Sequence, residues 1–181
     1  MNKDIKNYKI IFTGPVGAGK TTAIATLSDI PMVRTDETAS DMAASRKPQT
    51  TVALDYGLMK VSKTEKIHLY GTPGQERFDF MWDILTEGGI GLILLLDNSR
   101  PNTFQDMNFF LEAFYEFIKP NRVVIGVTRA DLAPTPTVDD YHANLKLPIR
   151  PAIFHVDARI RSGMAMLVEA LLYTIDPTLD A

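Results

Sequence analysis

The sequence predicts a three-layer α/β domain, with a mostly parallel sheet of about six strands and helices on both faces. Two observations lead to this prediction. Several short apolar runs are almost unbroken, which is typical of strands that are buried on both sides in a parallel sheet. Helical stretches lie between these runs, so strands and helices alternate along the chain. In such sheets, ligands bind at the carboxyl ends of the strands.

The predicted strands are rich in apolar and β-branched residues. Four runs are strongly apolar, a fifth is weaker, and a sixth alternates with polar residues and is predicted to lie at a sheet edge. In that order they are YKIIFTG (8–14), KIHLYGT (66–72), IGLILLLD (90–97), RVVIGVT (122–128), AIFHVDA (152–158) and TTVALDYGLMKV (50–61). Helices are predicted over residues 19–28, about 77–87, 104–118, about 137–146 and 162–175.

The composition is that of one globular domain over residues 1–181. The chain is 45% hydrophobic and 23% charged with a formal charge of -3, so neither disorder nor nucleic-acid binding is favoured. It has no cysteine, and residue 2 is asparagine, so no lipid anchor is expected. The longest apolar run, 90–96, is too short to cross a bilayer, and the amino terminus lacks the apolar stretch of a signal peptide. A cytoplasmic protein is predicted.

The segment GPVGAGKT (14–21) carries the strongest chemical signal. It fits the pattern G-x-x-x-x-G-K-[ST] between a predicted strand and a predicted helix, where this pattern forms a phosphate-binding loop, the P-loop. Its glycines let backbone N–H groups point at phosphate oxygens, its lysine supplies a positive charge, and its threonine hydroxyl suits Mg²⁺. The predicted phosphate-binding residues are Gly14, Pro15, Val16, Gly17, Ala18, Gly19, Lys20, Thr21 and Thr22, of which Thr21 is also a predicted metal ligand.

Asp131 is the residue that favours guanine over adenine. It follows the predicted strand 122–128, where its carboxylate can accept two hydrogen bonds from the donor edge of guanine. Adenine does not present that edge. The alternative for Asp131, and for Asp157 after the last strand, is capping of a turn or a helix.

Four further segments resemble the motifs of Ras-, Rab- and Arf-like small GTPases, in the same order along the chain. They are TTVALDYG (50–57), GTPGQERF (71–78), VTRAD (127–131) and VDAR (156–159), which correspond to the first switch, the second switch and two base-reading motifs. The chain is similar to the bacterial small GTPases that are encoded with Roadblock/LC7 proteins, whose second switch also reads GTPGQ. The resemblance implies the small G-protein form of the P-loop NTPase fold.

The resemblance also implies roles for residues in the two switches. Thr51, with its neighbour Thr50 as the alternative, would bind Mg²⁺ and the γ-phosphate of GTP. Gly74 would donate its N–H to the γ-phosphate, and Gln75 would orient the attacking water as the catalytic residue.

The base-reading motifs depart from the usual form of the family. Thr128 and Arg129 stand where an asparagine and a lysine are usual, and the long cationic side chain of Arg129 would still stack on the base. The Ala158 N–H would contact the guanine carbonyl. Asp157 and Arg159 stand where the family usually has serine and often has lysine.

Gly71 occupies the position at which the family has an aspartate that holds Mg²⁺ through a water. Loss of such a contact typically costs about 10- to 100-fold in metal affinity, about 1.4–2.7 kcal/mol, so weakened Mg²⁺ binding is predicted and Gly71→Asp is expected to restore it. The competing explanation is that glycine is required by a positive φ or by lack of space. Asp97, which ends the predicted strand 90–97, is a candidate substitute, with helix capping as its alternative role.

Two features bear on partners. The stretch between Thr21 and Thr51 is longer than the family usually has, and Arg34 and Arg46 within it are candidate arginine fingers, with solvation as the alternative. Aromatic residues are numerous near the second switch and predict an effector surface, with core packing as the alternative. They are Phe78, Phe80, Trp82, Phe109, Phe110, Phe114, Tyr115 and Phe117.

Together these observations predict a monomeric GTPase switch. It would bind GTP or GDP with Mg²⁺, hydrolyse GTP slowly, and act on a protein regulator or effector of the Roadblock/LC7 type. Two alternatives are a nucleotide-dependent scaffold that does not hydrolyse and an ATP-binding P-loop kinase. A kinase needs a pocket for a second substrate and an arginine-rich lid, neither of which the sequence indicates.

Overall fold

A computed structural model describes residues 5–34, 54–73, 82–119 and 122–176. The strands are β1 (Lys6–Thr13), β2 (Val33–Arg34), β3 (Asp55–Lys60), β4 (Glu65–Gly71), β5 (Gly91–Asp97), β6 (Val123–Thr128) and β7 (Ala152–His155). The helices are α1 (Lys20–Leu27), α2 (Trp82–Thr86), α3 (Thr103–Ala113), α4 (Tyr115–Ile118), α5 (Val138–Ala143) and α6 (Arg161–Ile175). Within these ranges, no helix is long and apolar enough to cross a membrane.

The strands form one sheet in the order β2-β3-β4-β1-β5-β6-β7. The five strands from β4 to β7 in this order are parallel, whereas β3 runs antiparallel to both β2 and β4. The carboxyl ends of the parallel strands therefore lie at one edge of the sheet, and the loops that follow them meet there. The predicted α/β architecture with a mostly parallel sheet is confirmed.

The sheet has one strand more than predicted. β2 contributes two residues, which pair with β3 at Val33–Tyr56 and Arg34–Asp55. β3, the predicted edge strand, therefore lies second from the edge. A strand of two residues is too short for a periodic pattern to predict.

Helices cover both faces of the sheet, and an apolar core lies on each side. All seven residues of β5 are buried, as its unbroken apolar run predicts. α1 and α6 pack on one face. α3 packs on the other through Met107, Phe110 and Leu111, whose spacing places them on one side of a helix.

The predicted helix over residues 104–118 is divided at Phe114. Its φ of -99° and ψ of 11° depart from helical values, so α3 ends at Ala113 and α4 begins at Tyr115. The Phe114 ring is buried and stacks on Trp82, with 4.9 Å between the ring centroids. Packing of this ring under α2 accompanies the break.

The aromatic residues predicted to form an effector surface divide into core and surface members. Trp82, Phe110 and Phe114 are at least 96% buried and pack together, so for these three the core alternative is correct. Of the others, Phe109, Tyr115 and Phe117 are partly exposed, and Phe78 and Phe80 lie outside the described residues.

A buried hydrogen-bond network fixes the loop after β6 against the loop after β5. The hydroxyl of Tyr141, on α5, lies 2.7 Å from Asn98 Oδ1 and 2.8 Å from Thr103 Oγ1. The Asn98 amide donates to the carbonyls of Ala133 and Pro136 at 2.6 and 3.0 Å. The segment that carries Asp131 is therefore anchored in the protein interior.

Tyr141→Phe removes the hydroxyl from this network. We expect the free energy of unfolding to fall by about 1–3 kcal/mol, because the buried Asn98 and Thr103 oxygens lose a partner and no water can reach them. Urea denaturation measures this change. Tyr173→Phe, on the exposed side of α6 where the tyrosine is 62% accessible, is the control and should change the free energy by less than about 0.5 kcal/mol. Equal effects of the two substitutions would contradict the role of the network.

Candidate functional site

The P-loop connects β1 to α1 and lies against the carboxyl end of β5. Gly14 has a φ of 137°, and a Cβ atom at this residue would be 2.0 Å from the Leu95 carbonyl oxygen. Only glycine permits both this backbone conformation and this close approach. The loop is therefore held directly on β5, the middle one of the five parallel strands.

Lys20 begins α1, and its side chain folds back under the loop. Its Nζ donates to the carbonyl oxygens of Gly14 and Pro15, both at 2.7 Å. Burial lowers the pKa of Lys20 to about 8, and the nearby Asp55 carboxylate opposes this shift. The lysine thus supplies a positive charge that is partly desolvated, which strengthens its attraction for an anion.

A cavity of about 320 Å³ opens beside the P-loop. It brings together residues from three separate segments: the P-loop with α1, the loop after β6, and the loop after β7. They are Gly17, Ala18, Gly19, Thr22, Thr128, Arg129, Asp131, Leu132, Asp157, Ala158 and Arg159. All except Leu132 are predicted site residues.

Five of the remaining predicted residues are described but do not line this cavity. Gly14, Pro15, Val16, Lys20 and Thr21 belong to the P-loop and the start of α1 but lie outside the cavity lining. Thr50, Thr51, Gly74, Gln75 and Arg46 lie outside the described residues.

Thr128 joins the two halves of the site. Its hydroxyl lies 3.1 Å from the Ala18 carbonyl oxygen and 3.0 Å from that of Leu96. The side chain is buried, so these contacts fix the P-loop to the ends of β5 and β6. Thr128 therefore sets the distance between the P-loop and the loop after β6.

The two aspartates considered as caps differ in their contacts. Asp157 accepts from the backbone N–H of Arg159 at 2.9 Å and pairs with its guanidinium, so the turn-capping alternative is correct there. These bonds from Arg159 lower the pKa of Asp157 to about 2. Among the described residues, Asp131 accepts no hydrogen bond, although Arg159 is near enough to feel its charge. Asp131 thus presents a carboxylate to the cavity and caps no described element.

Asp55, within the segment 50–57, is not among the predicted site residues but contacts one of them, Thr21. It lies opposite Gly71 in the antiparallel pairing of β3 and β4, and its Oδ2 accepts from the Thr21 hydroxyl at 2.5 Å. A Cβ atom on Gly71 would be 3.1 Å from the Asp55 Cβ and 2.9 Å from Ile24 Cδ1. The Asp55 side chain therefore occupies the space that a side chain at residue 71 would need.

The position of Asp55 bears on the two explanations for Gly71. Gly71 is not among the described glycines with a positive φ, so backbone conformation does not require it. Space favours glycine, because a Cβ atom there would press on the end of the Ile24 side chain and on the Asp55 Cβ, which would have to move by a few tenths of an ångström. The signal for Asp55 is in the sequence, four residues after Thr51, but only the strand pairing shows that it faces Thr21.

Asp97 does not cap α3, since that helix begins at Thr103. Its carboxylate accepts from the backbone N–H and hydroxyl of Ser99 at 2.9 and 2.6 Å, and it pairs with Arg129, which lines the cavity. The capping expectation is wrong, because the chain turns at Ser99 before the helix starts. Substitution of Asp97 for the missing aspartate stays a prediction.

Arg34 is held by the same carboxylate as Thr21. Its Nε lies 3.2 Å from Asp55 Oδ1, and its side chain is 52% exposed. The described residues contain no group of three or more His, Cys, Asp or Glu side chains that could hold a metal ion. A cation beside Asp55 would accordingly need hydroxyl or phosphate oxygens as additional ligands.

Comparison with known proteins identifies the family. A family model described as "Conserved hypothetical ATP binding protein" matches residues 31–147, more than half of the chain. The chain belongs to this ATP-binding protein family. The match begins after the P-loop and includes Asp131.

Individual relatives point to small GTPases. An uncharacterized protein of Methanocaldococcus jannaschii is 28% identical over 144 residues, covering 78% of this chain and 81% of its own. The Ras-related protein RabC of Dictyostelium discoideum is 23% identical over 179 residues, which cover 95% of this chain and 85% of RabC. The crystal structure of the G domain of the T. maritima FeoB iron transporter superposes with a TM-score of 0.62 at 18% identity. The superposition covers 93% of this chain and 98% of the G domain. The predicted three-layer small G-protein fold is confirmed.

The lowered pKa of Lys20 has a consequence for stability. The folded protein releases this proton near pH 8 and the unfolded chain near 10.5, so between these values the unfolded state binds more protons. We expect the free energy of unfolding of the wild type to rise relative to Lys20→Met by a few kcal/mol from about pH 7.5 to about pH 10. Urea denaturation of both proteins across this range measures the difference, in which the other titrating groups cancel. A difference that stays constant or falls would contradict a depressed pKa.

Proposed function

We propose that the protein is a guanine-nucleotide switch that binds GTP or GDP with Mg²⁺ and hydrolyses GTP slowly. The observation that carries the proposal is the Asp131 carboxylate, which has no hydrogen-bond partner among the described residues and lines the same cavity as the P-loop. The Ras-related relatives support the same conclusion. The description of the family names ATP, which makes ATP binding the second candidate.

Base recognition rests on the donor edge of the purine. Guanine presents N1–H and the 2-amino group, and a carboxylate such as that of Asp131 accepts from both. Adenine has no donor at N1 and no 2-amino group, so it would leave Asp131 without a partner. The N–H of Ala158, in the loop after β7 that lines the same cavity, is the proposed donor to the guanine carbonyl oxygen.

Phosphate binding rests on the P-loop and Lys20. The loop from Gly14 to Gly19 leads directly into α1, so backbone N–H groups and the positive end of the helix face the same region. Lys20 adds a cation that is anchored beneath the loop. We assign the phosphates to this region and the base to the cavity beyond Thr128.

The residues around Thr21 fit a magnesium ion. Mg²⁺ prefers hard oxygen ligands and keeps several waters, and the Thr21 hydroxyl and the Asp55 carboxylate are such groups in direct contact. Mg²⁺ would neutralise phosphate charge there. We therefore propose that Asp55 supplies the carboxylate that Gly71 lacks, and that Mg²⁺ binding is not weakened.

Hydrolysis and signalling complete the proposal. Gln75 is the proposed residue for orienting water, with Thr51 and Gly74 contacting the γ-phosphate and Mg²⁺ as the sequence resemblance implies. We propose that the protein is a cytoplasmic monomer that acts on a Roadblock/LC7-type regulator or effector. Single-turnover cleavage of GTP distinguishes this switch from a scaffold that binds nucleotide without hydrolysis.

Asp131→Asn tests the choice of base. We expect GTP to bind about 2–5 kcal/mol more weakly, because one or two charged hydrogen bonds are lost. Affinity for xanthosine triphosphate should rise, since its C2 carbonyl can accept from the new amide. Calorimetric titration with GTP, xanthosine triphosphate and ATP measures the three affinities. Asp139→Asn, on the exposed side of α5, is the matched control and should leave them unchanged.

The same titrations discriminate the two nucleotides in the wild type. Preference for GTP that disappears in Asp131→Asn supports the proposal. Tighter binding of ATP than of GTP by the wild type, with no effect of Asp131→Asn, would establish the ATP alternative.

Asp55→Asn tests the source of the metal carboxylate. We expect half-maximal nucleotide retention to require about 10- to 100-fold more free Mg²⁺ than in the wild type. Arg34→Gln removes the other partner of Asp55 and is the matched control, with an unchanged Mg²⁺ requirement. Nucleotide dissociation rates measured against free Mg²⁺ give both values. An equal effect of the two substitutions would show that Asp55 acts only through Arg34.

Gly71→Asp adds an independent check. We expect faster nucleotide dissociation at every Mg²⁺ concentration, because the new side chain meets Ile24 and Asp55 and adds a second negative charge. Slower dissociation would instead restore the missing-carboxylate explanation.

A further inference from the structure

Asp97 and Arg129 form an ion pair at the rim of the cavity. The Asp97 side chain is only 4% exposed and receives hydrogen bonds from Ser99 and from Arg129 Nη1. Arg129 lines the cavity, whereas Asp97 does not. Asp97 is therefore close enough to control Arg129 but is not itself presented to a ligand in the cavity.

Arg129 is held both at its backbone and at its guanidinium group. Its backbone has a φ of 59°, which is unusual for a residue other than glycine, and its carbonyl accepts from the N–H groups of Leu132 and Ala133 at 3.1 and 3.0 Å. At the other end, Asp97 holds the guanidinium. The Arg129 side chain as a whole is 46% exposed and lines the cavity, so part of it is available to a ligand.

We propose that Asp97 is a positioning residue that acts through Arg129 to bind the purine base of the nucleotide. Asp97 fixes the guanidinium and stem of Arg129 as a flat surface on which the base stacks. The inference rests on the proposed function, because it requires that a nucleotide occupies the cavity.

An anchored arginine binds a base better than a free one. A free arginine loses its rotamer freedom when the base binds, and this loss opposes binding. An arginine already held by a buried carboxylate does not incur it, and the low exposure of Asp97 keeps water from competing for the pair. Arg100 is the other cation near Asp97, but it pairs with Asp106 at 2.7 Å and leaves Asp97 to Arg129.

The opposite side of the cavity provides a contrast. Arg159 also pairs with an aspartate, Asp157, but its side chain is 74% exposed and that of Asp157 is 33% exposed. An ion pair in such contact with solvent contributes little to holding a side chain in place. The Asp97–Arg129 pair, in which the carboxylate is buried, is therefore the one that presents a preformed surface to the base.

Asp97→Asn removes the charge of Asp97 and keeps its shape. We expect GTP and GDP to bind about tenfold more weakly, since the stacking contribution of Arg129 is reduced. Inorganic tripolyphosphate has no base, so its affinity should stay within about twofold of the wild type. Asp29→Asn is the matched control, because Asp29 pairs with Arg161 at 2.8 Å away from the cavity. It should leave all three affinities unchanged. Calorimetry measures them.

A second comparison separates positioning from general structural support. In the Arg129→Ala background, Asp97→Asn should have no further effect on GTP affinity, because Asp97 acts only through the arginine. An equal loss in both backgrounds, or a parallel loss of tripolyphosphate affinity, would overturn the inference. So would unchanged GTP affinity in Asp97→Asn when the wild type binds GTP. A wild type that binds GTP no better than tripolyphosphate would overturn the proposed function instead, and this inference with it.

Substitutions at Arg129 decide the matter if Asp97→Asn does not fold. Arg129→Lys keeps a cation for Asp97 and a long stem, so GTP affinity should stay within about threefold of the wild type. Arg129→Gln keeps length and planarity but has no charge to pair with Asp97, so it should lose about as much affinity as Arg129→Ala. Equal GTP affinity of the Lys and Gln variants would overturn the inference.

Discussion

The P-loop lies directly on the carboxyl end of β5, and the rest of the site depends on that contact. It is possible because Gly14 has no side chain where the Leu95 carbonyl oxygen approaches. Thr128 then ties the same loop to β5 and β6 from the other side. The strands at the centre of the sheet therefore position Lys20 under the loop, the cavity beside the loop, and Asp131 at the far end of the cavity. Buried parallel strands are rigid, so the spacing between the groups proposed to bind the phosphates and those proposed to bind the base is set before any ligand arrives.

Charge around the site is arranged so that carboxylates have different tasks. Asp55 is held by Thr21 and Arg34, and Asp157 is held by Arg159. Asp131 accepts no hydrogen bond from the described residues, and a carboxylate without a donor has the most to gain from a ligand that brings hydrogen-bond donors. Each carboxylate has a chemistry that follows from its neighbours rather than from its position in a motif.

Much of this arrangement could be predicted from the sequence, because the P-loop pattern and the unbroken apolar strands are local signals. What the sequence did not contain is pairing across the sheet. Asp55 faces Thr21 because an antiparallel strand places it opposite Gly71, and a shift of one residue in that register would turn it to the other face. Asp97 meets Arg129 because β5 and β6 are neighbours, although the two residues are 32 positions apart. The break at Phe114 is likewise a matter of tertiary packing, and local propensity does not indicate it.

Trp82 gives the protein an internal optical probe. It is the only tryptophan of the chain and the first residue of α2. Its side chain is 4% exposed, and its ring stacks on that of Phe114. An indole in such apolar surroundings emits at shorter wavelength than one in water, so its fluorescence reports how α2 packs on α3 and α4. The residue lies four positions after the segment 71–78, which resembles the second switch. The protein thus carries a label beside that segment, and the packing of α2 can be followed in the unmodified chain.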